Sequence, residues 1–206
     1  MRTIIIAAAL SIASGAAKHA QDRMPTNAAE ALTDAQKKAI AEFKSARSAE
    51  ISGPFIALLR SPEVMTRARA MGDYLRFRSV LPPRLSEFVI LLTARHWTQN
   101  YEWSAHEPLA RQAGLSGAVI AAIADGRRPA AMADDEDVLY ALCDELRRNQ
   151  SVSDATYARA VTAFGEQGVI DAIGITGYYT FLSMVMNTAR TPLAPGAKPA
   201  LAPFPR

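Results

Sequence analysis

The densest set of groups able to move protons is Arg95-His96-Trp97-Thr98-Gln99-Asn100-Tyr101-Glu102-Trp103-Ser104-Ala105-His106-Glu107, which holds both tryptophans and two of the three histidines of the chain. On a helix each residue turns about 100°. Glu102 and His106 then stand one turn apart, with Cβ atoms roughly 5–6 Å from each other. Gln99 lies one turn earlier, so Gln99, Glu102 and His106 make one polar stripe, with Trp103 beside it. A carboxylate against an imidazole is a workable proton-transfer pair, since each changes the proton affinity of the other. The same spacing also describes an ordinary surface pair, worth a few tenths of a kcal/mol.

The flanking sequence supplies helices to position these groups. Thr33-Asp34-Ala35-Gln36 is a capping box opening a helix to about Arg47. Ser52-Gly53-Pro54 is a turn before a short apolar piece from Phe55 to Leu59. Ser61-Pro62-Glu63 starts a helix to about Phe77. Pro82-Pro83 ends a connection, and Ser86-Glu87 opens the next helix. Gly114 closes the segment carrying the stripe. Ser116 caps a helix from Ala118 to Ala124, ended by Gly126. Asp134 to Arg147 is acidic first and basic last, as the helix dipole prefers. Ser153 caps a helix to about Phe164, and Gly168 to Ala189 is a long apolar helix with Gly174 and Gly177 placed for close packing. No stretch alternates apolar and polar residues over strand length. The expected fold class is all-α: one domain, a bundle of about eight helices.

The two ends read differently. Arg2, the apolar run Ile4 to Ala13 and the small residues Ser14-Gly15-Ala16-Ala17 have the order of an export signal over residues 1–17, which implies a periplasmic or secreted protein. This ten-residue run, broken only by Ser11, is too short to span a bilayer. Residues 18–31 read as a flexible leader and 32–190 as the helical domain. Residues 191–206 hold Pro192, Pro195, Pro199, Pro203 and Pro205, and such a tail must be extended or disordered. The formal charge is +3 without a Lys/Arg block, which argues against a nucleic-acid partner. Cys143 is the single cysteine, so no internal disulfide exists, and its helical surroundings mark it as a small buried hydrophobe. His19 and His96 lack metal-ligand spacing, so no metal is expected.

Glu87, then eleven residues, Gln99, two residues, Glu102, three residues and His106 resembles the active-site spacing of the carboxymuconolactone decarboxylase-like superfamily. The redox members of that superfamily carry cysteines where Gln99 and Glu102 stand here. His106-Glu107-Pro108-Leu109-Ala110, Ala113-Gly114-Leu115-Ser116, Ala121, Ile123 and Gly126 resemble its continuation. Phe164-Gly165-Glu166, Ile173-Gly174, Tyr178-Tyr179 and Asn187 resemble its later helices. The resemblance covers roughly residues 50–188. It implies an alkylhydroperoxidase D-like bundle that assembles as a trimer or hexamer. It also implies a site built on Glu87, Glu102 and His106.

With both cysteines replaced, thiol chemistry of the alkylhydroperoxidase kind does not carry over. Acid/base groups remain, nearer to the decarboxylase side of the superfamily. The leading expectation is a cofactor-free lyase acting on a small cyclic or aromatic-derived carboxylic acid or lactone. The alternatives are a thiol-dependent antioxidant protein and a non-catalytic ligand-binding relative. Arg95 is the nearest fork for a substrate carboxylate, with Gln99, Trp103, Tyr178 and Tyr179 as further lining. Glu102 near a helix N-terminus is more naturally a base than an acid unless it is buried. An unbroken helix through positions 87 and 99 would leave Glu87 about 120° off the stripe, so convergence requires a break near Thr98 to Asn100.

Overall fold

The computed structural model describes residues 22–203; the expected signal segment, residues 1–17, lies outside them. The described residues form α1 (Asp34–Arg47), α2 (Pro54–Leu58), α3 (Pro62–Phe77), α4 (Pro83–His96), α5 (Asn100–Gln112), α6 (Gly117–Ala124), α7 (Asp134–Asn149) and α8 (Asp154–Ala189), with a single 3-10 turn at Ala29–Ala31 and no strand. The fold is all-α.

The element starts follow local chemistry. At α1, Thr33 accepts from the Gln36 amide while Gln36 accepts in return from Thr33 N. The helix expected from Ser86 begins three residues earlier. Pro83 takes the first helical position, where its missing N–H costs nothing, and Pro82 is the extended N-cap. Ser61 precedes α3 without capping it through its side chain, so Pro62 and the acid at Glu63 mark that start. In α8 the backbone leaves the helical region at Gly165 (φ 68°, ψ 171°), which joins the two helices read from sequence on either side of it.

α4 is the central element. It packs against α5, α6, α7 and α8, and Phe88, Val89, Ile90, Leu91 and Ala94 are sealed in the core. At its start Arg84 bridges to Asp135 (2.6 Å) and to buried Glu136, tying α4 to the first turn of α7. The second half of α8 crosses α4 and α3. Gly72 on α3 is required there, because a Cβ would stand 2.3 Å from the Tyr178 hydroxyl. Gly174 meets Leu75 in the same way, whereas Gly177 faces open space. Buried Asp171 accepts from Tyr74 OH (3.1 Å), Ser79 Oγ (2.8 Å) and Val80 N (3.0 Å), which anchors the α3–α4 connection to α8.

Both flanking segments are docked where they are described. Arg23 N donates to Ala189 O (2.8 Å), and Arg60 Nη2 donates to Pro25 O (2.7 Å). The proline-rich tail is non-helical and returns to α5. Asn100 Oδ1 accepts from Leu201 N (2.8 Å), Leu201 is buried, and Arg95 Nη1 donates to Ala202 O (2.6 Å).

Candidate active site

The break that the stripe requires lies between α4 and α5. Thr98 N donates to Arg95 O (3.0 Å) and Gln99 N to Ala94 O (2.9 Å), with Thr98 left-handed at φ 47°. This is a Schellman closure, the motif that also ends α5 at Gly114 and α6 at Gly126. Gln99 then caps α5, its Oε1 accepting from Tyr101 N at 2.8 Å. The two helices become separate rods that bring α4 side chains back toward the first turns of α5.

Glu87 and His106 meet as a result, although 19 residues apart. His106 Nδ1 donates to Glu87 Oε2 at 2.7 Å. The other ring nitrogen, Nε2, faces Glu102 Oε2, 3.5 Å away. The approach is long for a hydrogen bond, as acid/base contacts often are before substrate arrives. Glu102 is buried, and its Oε1 has no hydrogen-bond partner among the described residues. Desolvation raises the Glu102 pKa above the ordinary carboxylate value. The fields of His106 and Arg76 oppose that rise, and the field of Glu87 adds to it. The first turn of α5 favours a carboxylate, but the dipole's fraction of a kcal/mol is smaller than the burial of a charge. Glu102 is therefore the buried case that the sequence reading set apart, and burial shifts it toward the protonated form.

Two tyrosines close the cluster. Tyr179 stands edge-on to His106 (ring centroids 5.0 Å) and to Tyr178 (5.3 Å). Burial pushes the Tyr178 phenol up to about 12 and Tyr179 well above its usual value, so both stay protonated. Trp103 is a core residue on α5. Gln99 is held by structure at both ends of its amide: besides capping α5, its Nε2 donates to Asn187 Oδ1 (2.8 Å). Asn187 Nδ2 in turn donates to Trp97 O (3.1 Å), pinning α8 to the break.

Arg95 goes elsewhere. It lines a separate cavity with His96 and Trp97 and reaches the tail at Ala202. The cation whose field reaches Glu102, Tyr178 and Tyr179 is Arg76, in the last turn of α3. Nothing local in the sequence singles out Arg76 or Asn187 as neighbours of the stripe, since both arrive from helices far along the chain. Cys143 is buried beside Thr176, and desolvation pushes its thiol up to about 11.

A scan of family models finds no match, and a search of curated proteins finds none. The solved structure of an uncharacterized peroxidase-related protein from Ralstonia eutropha JMP134, described as an alkylhydroperoxidase AhpD core, is similar over 84% of this chain and 92% of that chain. Its TM-score is 0.67 at 17% sequence identity, a likeness of architecture. The chain therefore shares the helical fold of that alkylhydroperoxidase AhpD core structure.

Proposed function

We propose that this protein is a cofactor-free lyase, decarboxylating a small cyclic or aromatic-derived carboxylic acid or lactone by proton transfer at Glu102 and His106. The observation that carries this reading is the buried Glu102 carboxyl, with one oxygen unpartnered and the other facing a histidine already oriented by Glu87. A buried polar atom without a partner costs roughly 1–3 kcal/mol. A fold keeps such an atom most readily where a ligand satisfies it.

The chemistry follows from the charges. Arg76, whose field reaches Glu102 and Tyr179, is the cation assigned in this reading to the substrate's anionic end. The carbon–carboxylate bond breaks, CO₂ departs, and its electron pair stays on carbon, delocalised into an adjacent carbonyl. Glu102, whose proton burial holds more tightly, gives that proton to the carbon. Its carboxylate is reprotonated from solvent through His106, whose ring Glu87 fixes in place. Removing CO₂ and adding one proton leaves the product balanced.

The test is turnover of lactone and aromatic acids followed by CO₂ release or ultraviolet change. One positioned acid/base group contributes about 10²–10⁴-fold. Glu102→Gln keeps the shape and removes the proton, so kcat falls by that amount with the fold intact. His106→Asn behaves likewise, and the double variant loses less than the sum because the pair acts as a unit. Arg76→Gln raises KM more than it lowers kcat. Full activity of both single variants on a found substrate rules the mechanism out.

A further inference from the structure

A cavity of about 300 Å³ opens between α4, α6, α7 and α8, lined by neither Glu87, Glu102 nor His106. Its body is apolar and aromatic, from Leu92, Ile123, Leu146, Trp97 and Tyr140. Three guanidinium groups also line it: Arg95, which donates to Ala202 O, Arg127, which is paired with Asp125 at 2.7 Å, and Arg147; the carboxylate on the lining is Asp144. Asp144 is shared between Arg147 and Arg148, the latter at 2.9 Å, so its charge is already met from α7 itself. With two guanidinium groups on one carboxylate, this part of the wall keeps a positive excess, which favours anions.

Polar groups converge on the same space. Arg147 reaches both Asp144 and His96 Nδ1 (3.4 Å), which sets its fork at the mouth of the cavity. Burial, and then the field of Arg147, lower the His96 pKa, so at neutral pH the ring is a hydrogen-bonding group rather than a further cation. Thr180 Oγ1 accepts from Trp97 Nε1 (3.2 Å), which fixes the indole as part of the wall. No described residue takes the proton of the Thr180 hydroxyl, which remains a donor on the lining.

We propose that this cavity is a binding site for a small monocarboxylate with an apolar body, its carboxylate on Arg147 and its body between Trp97, Tyr140 and Leu92. An inorganic anion would not use the apolar wall, and a neutral hydrocarbon would not use the positive excess that Arg147 and Arg148 leave around Asp144. The volume is at the small end of ligand pockets, which suits a single ring or a short chain. Arg is suited to this role because its planar fork meets a carboxylate with two parallel bonds. The site is independent of the proposed lyase reaction, and binding alone tests it.

The experiment titrates the full chain with benzoate and octanoate, reading Trp97 fluorescence against a Trp97→Phe control and heat by calorimetry. Saturable binding is expected for both acids. Benzyl alcohol and inorganic phosphate should bind at least about 10-fold more weakly, each lacking one half of the recognition. Arg147→Gln, on a partly exposed side chain that leaves the core intact, should weaken benzoate by about 10- to 100-fold. A cavity-filling Thr180→Phe variant should abolish binding, with circular dichroism checking that it is folded. Glu102→Gln should leave the affinity unchanged. Equal binding of benzoate and benzyl alcohol overturns the proposal. So do absence of saturable binding, unchanged affinity in Arg147→Gln, and loss of binding in Glu102→Gln.

Discussion

At the residue scale, the decisive contest is between helix dipole and burial at Glu102. The dipole would keep the carboxyl ionised; desolvation raises its pKa and wins. The sign of the pH dependence follows. A carboxyl whose folded pKa is raised binds its proton more tightly folded than unfolded, so stability is fully present below the unfolded value, near 4.5, and is lost as pH rises through the folded value. Glu102→Gln cannot ionise. Denaturant titrations across that window should show the unmodified chain losing stability relative to Glu102→Gln as pH climbs, by about 1.4 kcal/mol per unit of pKa elevation. A constant difference across pH would mean that Glu102 does not titrate. Cys143 poses a simpler question. A thiol held near 11 is scarcely ionised at neutral pH, and the thiolate is the nucleophile. No thiol peroxidase activity is expected from the purified chain. Peroxide turnover that Cys143→Ser abolishes would contradict this.

At the element scale, three helix ends use the same closure with different residues. Gly114 and Gly126 adopt the left-handed conformation without steric penalty, but Thr98, β-branched, does so at the site. An ordinary residue there costs about 1–2 kcal/mol relative to right-handed backbone, and the larger entropy of an unfolded glycine returns roughly 0.4–1. Thr98→Gly is therefore expected to raise stability by about 0.5–1 kcal/mol. Gly126→Ala, the reverse exchange in the same motif, should lower it by about 1 kcal/mol. Thermal unfolding of the two variants against the unmodified chain checks both signs.

For the whole molecule, the exposed apolar surface points to assembly. Phe77 and Ile170 are each 65% exposed, and Val80 and Ile173 add to them. Each lies within two residues of a group in the contact that Asp171 makes with Ser79 and Val80. Large apolar groups gathered in this way mark interaction surfaces more often than isolated ones do. A homo-oligomer formed through this face is the expected state, and light scattering on the eluting protein measures it. Ile170→Lys with Phe77→Glu should shift the mass toward the monomer without loss of helix content; an unmodified chain already monomeric would set the expectation aside. α8 is also long and apolar enough to cross a membrane by length and composition, but in the fold its second half is the core strut on α4.

The local signals that the chain writes into short windows were legible without a fold. Capping boxes, prolines at first turns and glycines at helix ends placed the helices, since each depends on residues within one turn. The one-turn spacing of Glu102 and His106 was legible for the same reason, both lying on α5, whereas Gln99 is the cap before it. The need for a break near Thr98 could be deduced from the angle between positions 87 and 99, but no glycine announced it. Tertiary structure alone decided the environment. It turned Glu102 into a buried acid, gave Gln99 to Asn187 and the cap, and sent Arg95 to another cavity and the tail. It also brought the field of Arg76, on α3, to bear on Glu102. Burial and the field of a distant charge depend on which helices cross. That is set by the packing of α4 and α8 as a whole, through many weak contacts that no short stretch of sequence contains.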